Sequence, residues 1–259
     1  MKKSLFTLLI VLATAVQALA QGQILTFENP KVTVYLPPVR SEGSKAVVAC
    51  PGGGYSHLAT GHEGHYWAPF FNDQGITYAV LEYDMPKGDR EMLLGEVEAA
   101  FKILKDSAAV WKIDPAKIGI MGSSAGGHLA STAATHPTAV MSPAFQILFY
   151  PVISLDPALT HRGTRREFIG ENADEALTRE WSSDKKVTAQ TPRAILLLSA
   201  DDKVVDPQNS IEYFNALRRE GVPATMHIWP NGGHGWGYRT KFKVHDQMLD
   251  ELRAWLKSF

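Results

Sequence analysis

The feature that most narrows the folds open to this chain is an alternation. Short apolar runs rich in β-branched residues recur along it, with segments of helical periodicity between them. Runs of about four to eight such residues read as strands, and strands alternating with helices build a mostly parallel sheet covered by helices, an α/β architecture. The runs are Val32 to Leu36, Ala46 to Cys50, Ile76 to Tyr83, Lys117 to Met121, Phe145 to Tyr150, Ala194 to Ser199 and Ala224 to Trp229. Between them, Glu91 to Lys105 sets Leu94, Val97, Ala100, Phe101 and Leu104 at helical spacing with its charges on the other side, as a helix lying on a sheet requires. Pro207 to Arg219 and Val244 to Leu256 read the same way. One segment breaks the rhythm. Residues Ser154 to Pro192 are polar, carry Arg162, Arg165 and Arg166, and hold few apolar residues, among them Phe168, Leu177 and Trp181. An excursion of this length is expected to be a cap insertion with local helices, a merely solvated loop being the alternative.

The rest of the composition bounds the partners. At 259 residues and 45% hydrophobic, the chain has material for one large core and gives no sign of a second domain. Its 26 basic and 27 acidic residues leave no charge excess to draw it to nucleic acid or an anionic membrane, so a small or neutral molecule is the expected partner. Lys2 and Lys3, an apolar run from Leu5 to about Val16 and Ala18-Leu19-Ala20 form the pattern of a secretory signal peptide over residues 1–20, cleaved before Gln21. The run is shorter than the roughly 20 residues that span a bilayer, so cleavage is expected rather than an anchor. Residues 21–259 are then expected to form the mature domain of a periplasmic or secreted protein. Cys50 is the only cysteine, which excludes an intrachain disulfide.

Gly122-Ser123-Ser124-Ala125-Gly126 is a G-x-S-x-G placed directly after the strand-like Lys117 to Met121 and before the helical Gly127-His128-Leu129-Ala130. In that context it reads as a sharp strand-to-helix turn, which needs small flanking residues and presents its central hydroxyl, that of Ser124, to solvent. A nucleophilic serine needs a base, because its hydroxyl hardly ionises at neutral pH. His234, in the glycine-rich loop Asn231 to Gly237, is the candidate. His128, His227 and His245 lie in regular elements and are expected to pack or solvate. His57, His62 and His65 cluster, but His62-Glu63-Gly64-His65 lacks the spacing of H-E-x-x-H, and no metal is expected.

The base in turn needs a carboxylate to fix its tautomer, in the chain order Ser, acid, His. Asp201, Asp202 and Asp206 all follow the strand Ala194 to Ser199. Asp202 is the choice: Asp206 stands before Pro207 as a helix N-cap, and Asp201 could equally cap a turn. Pro51-Gly52-Gly53-Gly54-Tyr55, after the strand Ala46 to Cys50, offers backbone amides for an oxyanion hole from Gly53 and Gly54, with the Ala125 amide as the other half. A phosphate loop is the competing use of such glycines, but no G-K-[ST] follows.

With these pieces, Cys-Pro-Gly-Gly-Gly-Tyr at 50–55, Gly-Ser-Ser-Ala-Gly-Gly-His-Leu-Ala at 122–130, Asp-Asp-Lys-Val-Val-Asp-Pro-Gln-Asn-Ser at 201–210 and Gly-Gly-His-Gly-Trp-Gly at 232–237, the chain resembles the α/β-hydrolase superfamily. Within it, the likeness is to bacterial acetyl xylan esterases and feruloyl esterases, and it covers most of residues 21–259. The resemblance carries the acid onto Asp202, with Asp206 in place of a usual proline, and Pro51 stands where lipases have histidine. It implies a two-step hydrolysis of short acyl esters on plant polysaccharide or xylo-oligosaccharide, without cofactor. Prolyl-oligopeptidase-like peptidases share the fold, as do general carboxylesterases and catalytically dead binding proteins. An intact serine, histidine and acid set argues against the last. Trp181, Trp229 and Trp236 are candidates to line a sugar cleft, with core packing the competing reading for all three and the stronger one for Trp229.

Overall fold

The apolar runs become strands of a single sheet in the computed structural model, which describes residues 22–259. The expected signal peptide lies outside the described residues, and no described helix is long and apolar enough to cross a membrane. The strands are β1 (Gln23–Glu28), β2 (Lys31–Leu36), β3 (Ser44–Cys50), β4 (Thr77–Leu81), β5 (Ile113–Ser123), β6 (Phe145–Phe149), β7 (Arg193–Ser199) and β8 (Ala224–Trp229). They lie side by side in the order β1-β2-β4-β3-β5-β6-β7-β8. β1 pairs antiparallel with β2 and β2 with β4, while every pair from β4 onward is parallel. The parallel strands β3, β4, β6 and β7 and the second half of β5 are buried almost throughout because helices cover both faces.

The helices are α1 (Ala68–Asn72), α2 (Arg90–Asp106), α3 (Ala108–Trp111), α4 (Ser124–Thr135), α5 (Arg162–Ile169), α6 (Glu175–Glu180), α7 (Gln208–Arg219) and α8 (His245–Lys257). In α2, Asp89 accepts the Met92 amide as N-cap, and Leu93, Val97, Ala100, Phe101 and Leu104 are buried. Leu93 thus takes the place expected of Leu94, which is only half-buried. Each fully buried leucine, valine or phenylalanine on that stripe stabilises the fold by about 1.5–3 kcal/mol.

Beyond small shifts at strand ends, two strands differ from the sequence reading, which also does not foresee α1 and α3. β1 was not expected: its Ile24 is exposed while Leu25 and Phe27 only lean on the core, the weak alternation of an edge strand. β5 begins at Ile113 rather than Lys117, because Ile113 pairs with Ser44 before a register shift carries the ladder to Ala46 and Ile118.

Residues 154–192 hold α5, α6 and a 3-10 turn at Ser183–Lys185. Polar side chains fasten them. Arg165, buried, donates to the carbonyls of Leu155 (2.6 Å) and Ala173 (2.9 Å) and to the Thr178 hydroxyl (2.8 Å). Asn209 of α7 accepts the amides of Ile153 and Ser154, and Ser182 accepts that of Leu155.

Because β3, β5, β7 and β8 run parallel, the loops that follow them emerge at one edge of the sheet. Ligand sites of open parallel sheets lie outside that carboxyl edge.

Candidate active site

Ser124 sits between β5 and α4 with φ +53°, a left-handed conformation that costs a non-glycine residue about 1–2 kcal/mol. The turn is that sharp because backbone crosses it closely. A Cβ on Gly126 would lie 2.1 Å from the Cys50 carbonyl oxygen and 2.3 Å from that of Pro51, and one on Gly122 would lie 2.1 Å from the Gly126 carbonyl. The strain lifts the Ser124 hydroxyl into a cleft, whereas Ser123 is wholly buried. Ser124 also opens α4, whose N-terminal end favours negative charge.

His234 Nε2 lies 2.8 Å from Ser124 Oγ, and its Nδ1 lies 2.6 Å from Asp202 Oδ2. Asp202 is itself held: its Oδ1 accepts the amides of Val204 (2.9 Å) and Val205 (3.0 Å). A carboxylate so fixed donates nothing, so the imidazole keeps its proton on Nδ1 and turns a free Nε2 lone pair toward the serine. The neighbouring aspartates have other partners. Asp206 accepts the Gln208 amide at the start of α7, the work of a cap. Asp201 accepts the amides of Gly232 and Gly233 at 2.9 and 2.8 Å, which pins the loop carrying His234.

Gly53 and Gly54 face the same cleft as Ser124, and Ala125 follows the serine at the first turn of α4. Gly53 has φ +135°, and a Cβ there would lie 1.9 Å from the His57 carbonyl, so only glycine closes this turn. The Gly52 amide is taken by Glu63 Oε2 at 2.9 Å.

Glu63 is a residue to which the sequence reading assigns no role, naming it only within the rejected His62-Glu63-Gly64-His65 metal pattern. It is buried, and its Oε1 accepts the Tyr150 hydroxyl at 2.7 Å while the Tyr150 oxygen accepts the Gly237 amide at 2.8 Å. Burial, with Glu63 beside it, pushes the Tyr150 hydroxyl well above its ordinary range, so it remains a donor. One carboxylate therefore ties the glycine loop after β3 to the histidine loop after β8. The only signal in the sequence is an acid among glycines and histidines at 61–65, which is weak.

A second buried link joins α4 to the insertion. His128 Nε2 donates to the Trp181 carbonyl at 2.9 Å, leaving Nδ1 to accept the Tyr55 hydroxyl at 3.0 Å. Burial drives this imidazole down to about 4, so it is neutral.

The cleft above Ser124 has a volume of about 520 Å³ and is lined by Gly53, Gly54, His57, His62, His161, Arg166, Val204, His234 and Arg239, among others. Of the insertion's arginines, Arg166 faces it, Arg165 is buried in its own network, and Arg162 is exposed elsewhere. The tryptophans do not line it, which corrects the expectation for Trp181 and Trp236. Trp181, Trp229 and Trp236 are all buried, Trp236 stacking on Phe242 and donating to Ser199. Their large apolar area is better satisfied in the core than at a wet cleft. Of the clustered histidines, His65 pairs with the Tyr35 hydroxyl and His62 lies against Arg239. Among the described residues, no three His, Cys, Asp or Glu side chains converge as a metal ion would need.

Strand order and the strained turn at the end of β5 make this an α/β-hydrolase fold. The chain belongs to the prolyl oligopeptidase family, whose model matches residues 92–259, and the BD-FAE family model matches residues 32–146. It is 41% identical to an acetylxylan esterase of Xylanibacter ruminicola, over 99% of this chain and 55% of that protein. It is 32% identical to endo-1,4-beta-xylanase B of Butyrivibrio fibrisolvens, over 73% of this chain and 32% of that protein. The chain thus spans about half the length of the first relative and a third of the second. Among solved structures, an acetyl ester-xyloside bifunctional hydrolase from Caldicellulosiruptor lactoaceticus superposes with a TM-score of 0.83 at 29% identity, covering 92% of this chain and 96% of that one.

Proposed function

We propose that the protein is a secreted or periplasmic serine esterase that removes short acyl groups, acetyl above all, from plant polysaccharide or xylo-oligosaccharide. The observation that carries the chemistry is the continuous hydrogen-bond path from Ser124 through His234 to Asp202. Ser124 Oγ attacks the ester carbonyl as His234 Nε2 takes its proton, and Asp202 stabilises the imidazolium that forms. The amides of Gly53, Gly54 and Ala125 receive the developing oxyanion. His234 then returns the proton to the departing alcohol, leaving an acyl-serine. Water, deprotonated by the same imidazole, releases the acid and restores the serine. The likeness to an acetylxylan esterase and to an acetyl ester-xyloside hydrolase supports the sugar ester as substrate, as does a cleft edged by Arg166, Arg239 and three histidines besides His234 rather than an apolar funnel. Feruloyl esters are the second acyl class to try. The prolyl oligopeptidase family match also supports a peptidase as the second reading.

The test is kcat/KM for acetylated xylo-oligosaccharide, a feruloylated saccharide, a long-chain nitrophenyl ester and a prolyl peptide, with Ser124→Ala as control. The acetylated sugar is expected to rank first and Ser124→Ala to lose activity by several orders of magnitude. A lead for the long-chain ester reduces the reading to a general carboxylesterase. A lead for the peptide replaces it.

A further inference from the structure

His161 enters neither the proton path nor the glycine loop, yet it stands in the cleft. It is the N-cap of α5: its Nδ1 accepts the Thr164 amide at 3.2 Å and lies 2.9 Å from the Thr164 hydroxyl. A ring nitrogen that accepts a backbone N–H carries no proton, so the proton of this neutral imidazole is on Nε2. Nothing among the described residues accepts it. The ring is half-buried against the glycine loop, where a Cβ on Gly54 would lie 3.5 Å from its Cε1, and it shares the cleft wall with Ser124 and His234. The cap therefore fixes a lone donor beside the reacting centre.

Which half of an ester that donor meets follows from His234. The departing alcohol oxygen must come to His234 Nε2 to collect its proton, and His161 lines the same cleft as His234 and Ser124. We propose that His161 is a positioning residue for the alcohol half of the substrate, its Nε2–H donating to a hydroxyl or ring oxygen of the sugar next to the scissile ester. The inference rests on the esterase reading above and gives the insertion a part in it. Burial, with His234 and Arg166 nearby and only Asp202 opposing, pushes the His161 imidazole below its ordinary value. It is therefore neutral at neutral pH and sets no like charge against the His234 imidazolium of the transition state.

The experiment uses His161→Ser, because serine is a good N-cap that holds α5 while withdrawing the donor from the cleft, and His161→Ala, which loses both. Each is assayed on 4-nitrophenyl acetate, whose leaving group offers no hydroxyl, and on acetylated xylobiose and glyceryl monoacetate, whose alcohols do. For His161→Ser, the ratio of kcat/KM on either polyhydroxy ester to that on the aryl ester is expected to fall about tenfold, mainly through KM, with the thermal midpoint kept. His161→Ala should show the same ratio and a lower midpoint. An unchanged ratio, even with lower rates throughout, makes His161 a cap alone and overturns the proposal. If the wild type cleaves glyceryl monoacetate but not acetylated xylobiose, the saccharide reading falls while His161 is judged on the glycerol ester. If it cleaves only the aryl ester, both fall.

Discussion

The turn at Gly122–Gly126 and the insertion at 154–192 face each other across one cleft, and they are held by opposite means. At the turn, backbone meets backbone so closely that no Cβ fits on Gly122 or Gly126, and shape alone fixes Ser124. In the insertion, two short helices are tied by polar side chains: Arg165 donates to the carbonyls of Leu155 and Ala173, Asn209 accepts an amide of the chain entering it, and Ser182 accepts the Leu155 amide. Steric exclusion gives one geometry with no alternatives nearby, whereas a polar network holds only while each partner remains. His128, on the helix that leaves the turn, links the glycine loop at Tyr55 to the insertion at Trp181. The difference places steric rigidity under Ser124 and a partner-dependent network under the cleft wall that carries His161 and Arg166.

The comparison is broken most directly at Gly126. Gly126→Ala is expected to cost about 3 kcal/mol or more, because its Cβ meets two carbonyl oxygens that cannot move without opening β3. A denaturant midpoint close to wild type would show that the turn is not fixed by sterics. Next in size is pH. His128 is neutral when folded, at about 4, but takes a proton near its ordinary 6.5 once unfolded. The unfolded chain therefore binds more protons as pH falls through that window, and stability present above about 6.5 is lost progressively down to about 4, by up to about 3 kcal/mol. Unfolding free energies measured across that range should fall less steeply in His128→Gln than in wild type. Parallel curves would remove His128 as the acid-sensitive link. The smallest global effect is expected from Arg165→Met, about 2 kcal/mol, since lost hydrogen bonds are partly offset by no longer burying a charge. Its sharper reading is local: amide hydrogen exchange should rise across 154–186 and hold steady in β5 and α4. Uniform acceleration would mean the two regions unfold as one.

What the sequence discloses follows the same division. The strands β2 to β8 and the helices α2, α7 and α8 are legible because burial imposes a period on residue type, as in Val97, Phe101 and Leu104. The turn is legible because close approach demands glycine. Polar partners obey no period. Pro207 marks Asp206 as a cap, but nothing in the string tells Asp201, which holds two amides of the histidine loop, from Asp202, which meets the imidazole. Glu63 and Tyr150 are 87 positions apart and meet only in three dimensions. The tryptophans fail for a related reason, since an amphipathic ring suits a cleft and a core alike and only the packing of Trp236 on Phe242 decides.

The serine and its base are 110 residues apart in the chain. At a synthesis rate of roughly 5–20 residues per second, that separation corresponds to on the order of ten seconds. Throughout that interval the growing polypeptide carries a hydroxyl with no partner to activate it. Its carboxylate partner is made before the imidazole, and the imidazole arrives only after β8 has a neighbour to pair with. On the mechanism proposed above, a polypeptide halted before His234 has no base for Ser124, and turnover begins only once the loop after β8 is in place.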